Sequence, residues 1–222
     1  MEKDNMLKSK HVPGLFLLLV CFACARQEPE VVSLPYYNDA ALTPYWPEST
    51  DQHADSLHAV LPFALTNQFG DQVSRATVEG KIYVADFFFT SCPGICAKMA
   101  QNMGKIQQAF AEDDDVLLLS HSVTPEIDSV QVLYRYAEAH GVEPQKWHLL
   151  TGQRRQIYQL ARDGYFADED IDLDKDENQF LHTENFYLID RKGHIRGIYK
   201  GTYPLDVEQL IADIAMLKSE GS

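Results

Sequence analysis

From about residue 61 onward, apolar residues fall into two patterns: short unbroken runs, and stripes at helical spacing. Ile82–Phe89 is a continuous apolar run with Asp86 embedded in it, and Val116–Val123 reads as the next buried strand. Runs of this kind predict strands covered on both faces, where no position alternates towards solvent. Ile95, Met99, Met103, Ile106 and Phe110 are spaced for one buried stripe, which predicts a helix over Ile95–Phe110. Phe63–Thr66 reads as a short strand, followed by a turn at Asn67–Asp71 around Gly70. Ser129–His140 is amphipathic and runs into Gly141, a C-cap signal. Trp147–Leu150 predicts a strand, Arg154–Arg162 a helix closing at Gly164, and Leu205–Leu217 the last helix. Phe186–Ile189 and Ile195–Tyr199 flank Asp190–Arg191–Lys192–Gly193, a hairpin turn signal. Strands alternating with helices, then a terminal β-hairpin and helix, predict a three-layer α/β/α sandwich around a central mixed sheet.

The segments before this domain read differently. Lys3, Lys8 and Lys10 supply a positive start, and Leu15–Ala23 is uninterrupted and apolar. That stretch is far shorter than the roughly 20 residues a transmembrane helix needs, but it suits the apolar region of an export signal. Cys24 follows the small residue Ala23, with Leu19 and Val20 upstream, which resembles a bacterial lipobox. The expectation is a leader over residues 1–24, export to the periplasmic side of a bacterial membrane, and a lipid anchor at Cys24. The alternative is an export signal without lipid. Residues 25–60 are rich in Pro, Tyr and acids, and Pro35, Pro44 and Pro47 interrupt them. They read as an extended arm or tether ahead of a domain at 61–222. Tyr36, Tyr37, Tyr45 and Trp46 form an aromatic patch there, suited to docking on the domain or to partner contact.

Charge narrows the function classes. The chain of 222 residues carries 19 Lys and Arg against 33 Asp and Glu, a net charge of −14. The basic footprint of a nucleic-acid binder is absent, and an acidic surface favours cationic partners. Seven of these acids crowd into Asp168–Glu177. Asp170, Asp172 and Asp174 alternate like the start of a calcium loop, but Lys175 stands where that loop needs Gly and Leu181 where it needs Glu. The segment therefore reads as a solvated acidic loop.

The candidate chemistry lies in the cysteines. Of four, Cys21 and Cys24 belong to the leader, which leaves Cys92 and Cys96. One pair is too few for a disulfide scaffold. Cys92–Pro93–Gly94–Ile95–Cys96 directly follows a predicted strand and opens a predicted helix, with Pro93 suited to the first helical position. Side chains four apart on a helix lie about 5–6 Å apart at Cβ, close enough to share one soft metal ion or to close a disulfide. The positive end of a helix lowers a thiol's pKa, and thiolates favour copper and zinc. Asp86, six residues before Cys92, is a candidate proton shuttle for a redox pair; a hydrogen-bonded strand acid is the plainer reading. Met99 and Met103 fit core packing better than transient copper contact. His121 and His148, at strand edges, read as structural.

The stretch Phe88–Phe89–Thr90–Ser91–Cys92–Pro93–Gly94–Ile95–Cys96–Ala97–Lys98–Met99 resembles the copper-site motif of the Sco/SenC family. Those are thioredoxin-like, copper-binding proteins that help assemble the binuclear copper centre of cytochrome c oxidase. Ser120–Glu126, Lys146–Gly152 and His182–Thr183 with Tyr187–Leu188 resemble further segments of that family, and together the likeness spans Pro62 to Leu217. The resemblance implies a thioredoxin-like fold and a copper site, for Cu(I) or Cu(II), made by Cys92, Cys96 and His182. It also implies delivery of copper to the copper-site subunit of the oxidase or to another copper protein. Two residues depart from the family pattern: Leu181 and Thr124 both stand where an acid is common. A thiol–disulfide oxidoreductase, with Cys92 attacking and Cys96 resolving, is the alternative reading of the same pair.

Overall fold

The structure is a computed structural model, and it describes residues 33–47, 57–167 and 183–220. The expected leader, the lipid-anchor residue Cys24, the acidic loop 168–177 and His182 lie outside the described residues. In chain order the elements are β1 (Tyr36–Tyr37), β2 (Pro44–Tyr45), β3 (Ala64–Thr66), β4 (Gln72–Ser74), α1 (Arg75–Val78), β5 (Ile82–Phe88), α2 (Ile95–Ala109), β6 (Val116–Ser122), α3 (Val130–His140), β7 (Trp147–Leu150), α4 (Arg154–Gln159), β8 (Asn185–Ile189), β9 (Ile195–Lys200) and α5 (Pro204–Glu220). A π-helical turn, Leu160–Gly164, extends α4.

Five strands form the central sheet in the order β7-β6-β5-β8-β9. β5 pairs in parallel with β6, and β6 with β7, whereas β8 runs antiparallel to both β5 and β9. The sheet is therefore mixed, and β8–β9 is the terminal hairpin. Every residue of β5, β6 and β8 is buried, the polar Asp86, Ser120, His121, Ser122 and Asn185 included. Alternate side chains feed two cores. Ile82, Val84 and Phe88 pack with α2, α3 and α5 on one face, while Tyr83, Ala85 and Phe87 pack with the β3–β4 hairpin, Val78 and α4 on the other. Met99 and Met103 are fully buried in the first core.

Some boundaries differ from the pattern. β4 and α1 are too short for periodicity to reveal them. The helix predicted over Arg154–Arg162 ends as an α-helix at Gln159 and widens into the π turn, in which the Tyr165 N–H bonds the Leu160 carbonyl. The wider turn carries Tyr165 fully into the second core. No helix among the described residues is long and apolar enough to cross a membrane.

Residues 33–47 fold as the β1–β2 ribbon against the body of the protein. Buried Arg196 on β9 holds them, donating Nη2 to the Leu34 carbonyl at 2.8 Å and Nε to the Pro35 carbonyl at 3.0 Å. Its guanidinium also lies 4.1 Å above the Tyr36 ring. Tyr36 is thus a docking residue, while Trp46 stays 54% exposed.

Candidate metal centre

The two cysteines sit where β5 hands the chain to α2. Beyond Phe88 the chain turns at Phe89–Cys92, closed by the Cys92 N–H on the Phe89 carbonyl at 3.3 Å. The helix begins only at Ile95, with Gly94 as its N-cap. This corrects two expectations: Pro93 is not the first helical residue, and Cys92 lies in the turn before the helix. Cys96 alone is helical, in the first turn of α2.

The turn nevertheless brings the thiols together, because it folds Cys92 back over the open end of the helix. The Cys92 sulfur accepts hydrogen bonds from the N–H groups of Cys96, Gly94 and Ile95 and from the Cys96 thiol. Burial pushes the Cys92 thiol up, but these donors outweigh it, and its pKa is lowered. Burial pushes the Cys96 thiol up, and its hydrogen bond to Cys92 and the charges of Cys92 and Asp86 add to that; the Phe89 N–H on its sulfur opposes them only partly. Both cysteines are free; Cys92 is partly exposed, and Cys96 is 8% exposed. One thiol is thus reachable and readily ionised, and the other is shielded.

The pair opens on a pocket of about 500 Å³ lined by Phe87, Phe89, Pro93, Ile95, Val123, Thr183 and Glu184 beside the two cysteines. Its wall is mostly apolar, and Ile95 on its rim is 54% exposed. Thr183, on the pocket wall, directly follows His182 in the chain. Among the described residues no His, Asp or Glu joins the two cysteines in a cluster able to hold a metal ion. Two thiols suit a soft ion such as Cu(I), and the open pocket gives such an ion a way in.

Asp86 lies on the same sheet face as Ile82, Val84 and Phe88, whose core includes Cys96. It accepts from Ser120 Oγ at 2.5 Å, and Ser120 Oγ accepts from Trp147 Nε1 at 2.8 Å. Burial pushes its carboxyl up to about 7, against the lowering effect of the Ser120 bond. It is therefore a hydrogen-bonded strand acid whose titration falls near neutrality, compatible with either role expected of it. His121 is fully buried among Phe63, Phe87 and Tyr165, with Nδ1 facing the Asp86 carbonyl at 3.2 Å. A carbonyl only accepts, so Nδ1 carries the proton. His148 is partly buried beside Asn67, 3.5 Å from its amide. Neither histidine belongs to a metal cluster among the described residues.

Asp128 escapes a reading of the sequence. It is fully buried and accepts four hydrogen bonds, two of them from Thr90 in the cysteine turn. Its only sequence signal is its place just before the N-cap Ser129, beyond the Ser120–Glu126 segment.

The SCO1/SenC family model matches residues 51–219. Among solved structures, the chain is similar to a SCO1/SenC family lipoprotein from Bacillus anthracis, 31% identical, with a TM-score of 0.64 over 72% of this chain and 95% of that one. It is similar to BsSco, described with a disulfide switch and as a member of the Sco family of cytochrome c oxidase assembly proteins. That match is 30% identical, with a TM-score of 0.62 over 73% of this chain and 94% of that one. A third match is ScoI of Arabidopsis thaliana with copper bound, 25% identical, with a TM-score of 0.56 over 72% of this chain and 99% of that one. The fold is the thioredoxin-like one that these structures share.

Proposed function

The chain belongs to the SCO1/SenC family, and we propose that it is an exported copper-binding protein that loads or prepares the copper site of a respiratory cytochrome c oxidase. In this reading copper is cargo. The thiolates of Cys92 and Cys96 and the imidazole of His182 take one ion, in an S₂N arrangement suited to Cu(I). A copper-site subunit of the oxidase, or another copper protein, then removes it by ligand exchange. The observation that carries the reading is the pairing of Cys92 and Cys96 at the mouth of an open pocket. The position of Thr183 on that pocket's wall supports His182 as third ligand, and the copper-bound state of the Arabidopsis relative supports copper as the ion. A leader over residues 1–24 with a lipid anchor at Cys24, an arm over 25–60 and a domain over 61–222 belong to the same proposal; the Bacillus anthracis lipoprotein supports the anchor.

The asymmetry of the thiols favours a second reading, thiol–disulfide exchange. Cys92, partly exposed and readily ionised, attacks a partner's disulfide, and Cys96 then displaces the partner's thiolate. Two electrons and two protons pass to the partner, which gains two thiols while Cys92–Cys96 becomes a disulfide.

Substituting His182 separates the readings. His182→Ala should weaken copper retention by at least about tenfold while leaving exchange with a small disulfide within about twofold of wild type. Copper retained unchanged by His182→Ala contradicts the S₂N proposal. Both activities falling together contradicts the separation of roles.

A further inference from the structure

Asp128 is fully buried, and its carboxyl acts only as an acceptor. Thr90 Oγ1 donates to Oδ1 at 2.5 Å. Oδ2 takes Ser122 Oγ at 2.6 Å, Thr124 Oγ1 at 3.0 Å and the Thr90 N–H at 3.2 Å. Thr90 is the second residue of the turn whose fourth is Cys92, and the first residue of that turn, Phe89, touches both cysteines. The Phe89 carbonyl receives the Cys92 N–H, and its N–H faces the Cys96 sulfur. A single carboxyl rooted at the start of α3 thus grips the turn by two donors of one residue. Hydrogen bonds to a carboxylate are among the stronger ones proteins make, and burial keeps water from competing for them.

We propose that Asp128 is the positioning residue of the dithiol: through Thr90 it sets the Phe89–Cys92 turn, and so holds the Cys92 sulfur over the N–H groups that open α2. Thr124, which stands where the family commonly has an acid, donates to Asp128. The inference holds whether the pair works on metal or on disulfide, and its test needs no copper.

Three variants of the full chain test it. Thr90→Val keeps the side chain's shape but removes the Oγ1 link to Asp128. Thr90→Ser restores the hydroxyl. Ser122→Ala removes a comparable bond to the same carboxyl without touching the turn. The readouts are the alkylation rate of Cys92 by iodoacetamide in the reduced protein at pH 7, located by mass spectrometry, and the melting temperature. Thr90→Val should slow Cys92 alkylation about three- to tenfold, since the turn that presents the sulfur loses its Oγ1 anchor to Asp128. Thr90→Ser should return to the wild-type rate, and Ser122→Ala should keep that rate even where its melting temperature falls as far as that of Thr90→Val. An unchanged or faster rate in Thr90→Val overturns the proposal. So does equal slowing in Ser122→Ala, which would make Asp128 a support of the fold alone, and so does failure of Thr90→Ser to restore the rate.

Discussion

Asp86 and His121 are buried neighbours on adjacent strands, and burial drives their titrations in opposite directions. Asp86 rises from 3.8 to about 7, with Ser120 pulling against burial. His121 falls from 6.5 to about 4, with the Asp86 carbonyl pulling against burial. Between about pH 4 and 7 the native protein keeps a proton on Asp86 that the unfolded chain has lost, so this residue makes stability fall as pH rises. Between about pH 6.5 and 4 the unfolded chain takes up a proton at His121 that the native protein refuses, so this residue makes stability fall as pH falls. The two slopes oppose each other across nearly the same window, and the wild-type profile hides both. Asp86→Asn keeps an acceptor for Ser120 and should gain stability over wild type as pH rises from 4 to 7, by roughly 2–4 kcal/mol. His121→Phe should gain over wild type as pH falls from 6.5 to 4. Urea melts across that range check both, and curves running parallel to wild type would refute the assignment. At this scale Cys92 and Cys96 were legible because their chemistry follows from type and spacing. Asp128 was not, because its partners Thr90 and Ser122 lie 38 and 6 residues away, a proximity created only by packing β5 beside β6.

Elements were most legible where a buried run or a cap marks their limits. β5 and β7 match their predicted strands to within a residue, and α3 fills the amphipathic Ser129–His140 stretch to within a residue and ends at the predicted C-cap Gly141, at φ 66°. α2 starts at Ile95, as its apolar stripe predicts, but Pro93 was misplaced: it is favourable at a first helical position, whereas the Cys92 N–H closes the preceding turn and the helix starts two residues beyond Pro93. The ribbon of residues 33–47 contains too few residues per strand to show a period, and one side chain makes several of the contacts that hold it. Arg196 reaches Leu34, Pro35 and Tyr36 on one side, and Glu220 at 3.0 Å and Asp190 at 3.4 Å on the other. It thereby ties the ribbon and the end of α5 to β9. Lysine carries the charge but not the planar fork. Arg196→Lys should cost about 2 kcal/mol in denaturant melts and expose residues 33–47 to limited proteolysis. Wild-type stability with wild-type protease resistance would show that the fork is dispensable.

For the whole molecule, the alternation of strands and helices predicted the three layers and the mixed sheet. It did not contain the order β7-β6-β5-β8-β9, which depends on which strands cross over. That order matters for function, because it sets β8 beside β5 and so brings Thr183 and Glu184 to the pocket of Cys92 and Cys96. With a net charge of −14, the protein is also suited to meeting a cationic surface on its partner. The central claim is that two sulfurs and one imidazole hold the copper. It is tested most directly by X-ray absorption at the copper edge, on full-length protein loaded with a single equivalent of Cu(I). The account predicts a first shell of two sulfurs and one nitrogen, with the nitrogen lost in His182→Ala. Failure to retain copper, or a shell that His182→Ala leaves unchanged, would contradict it.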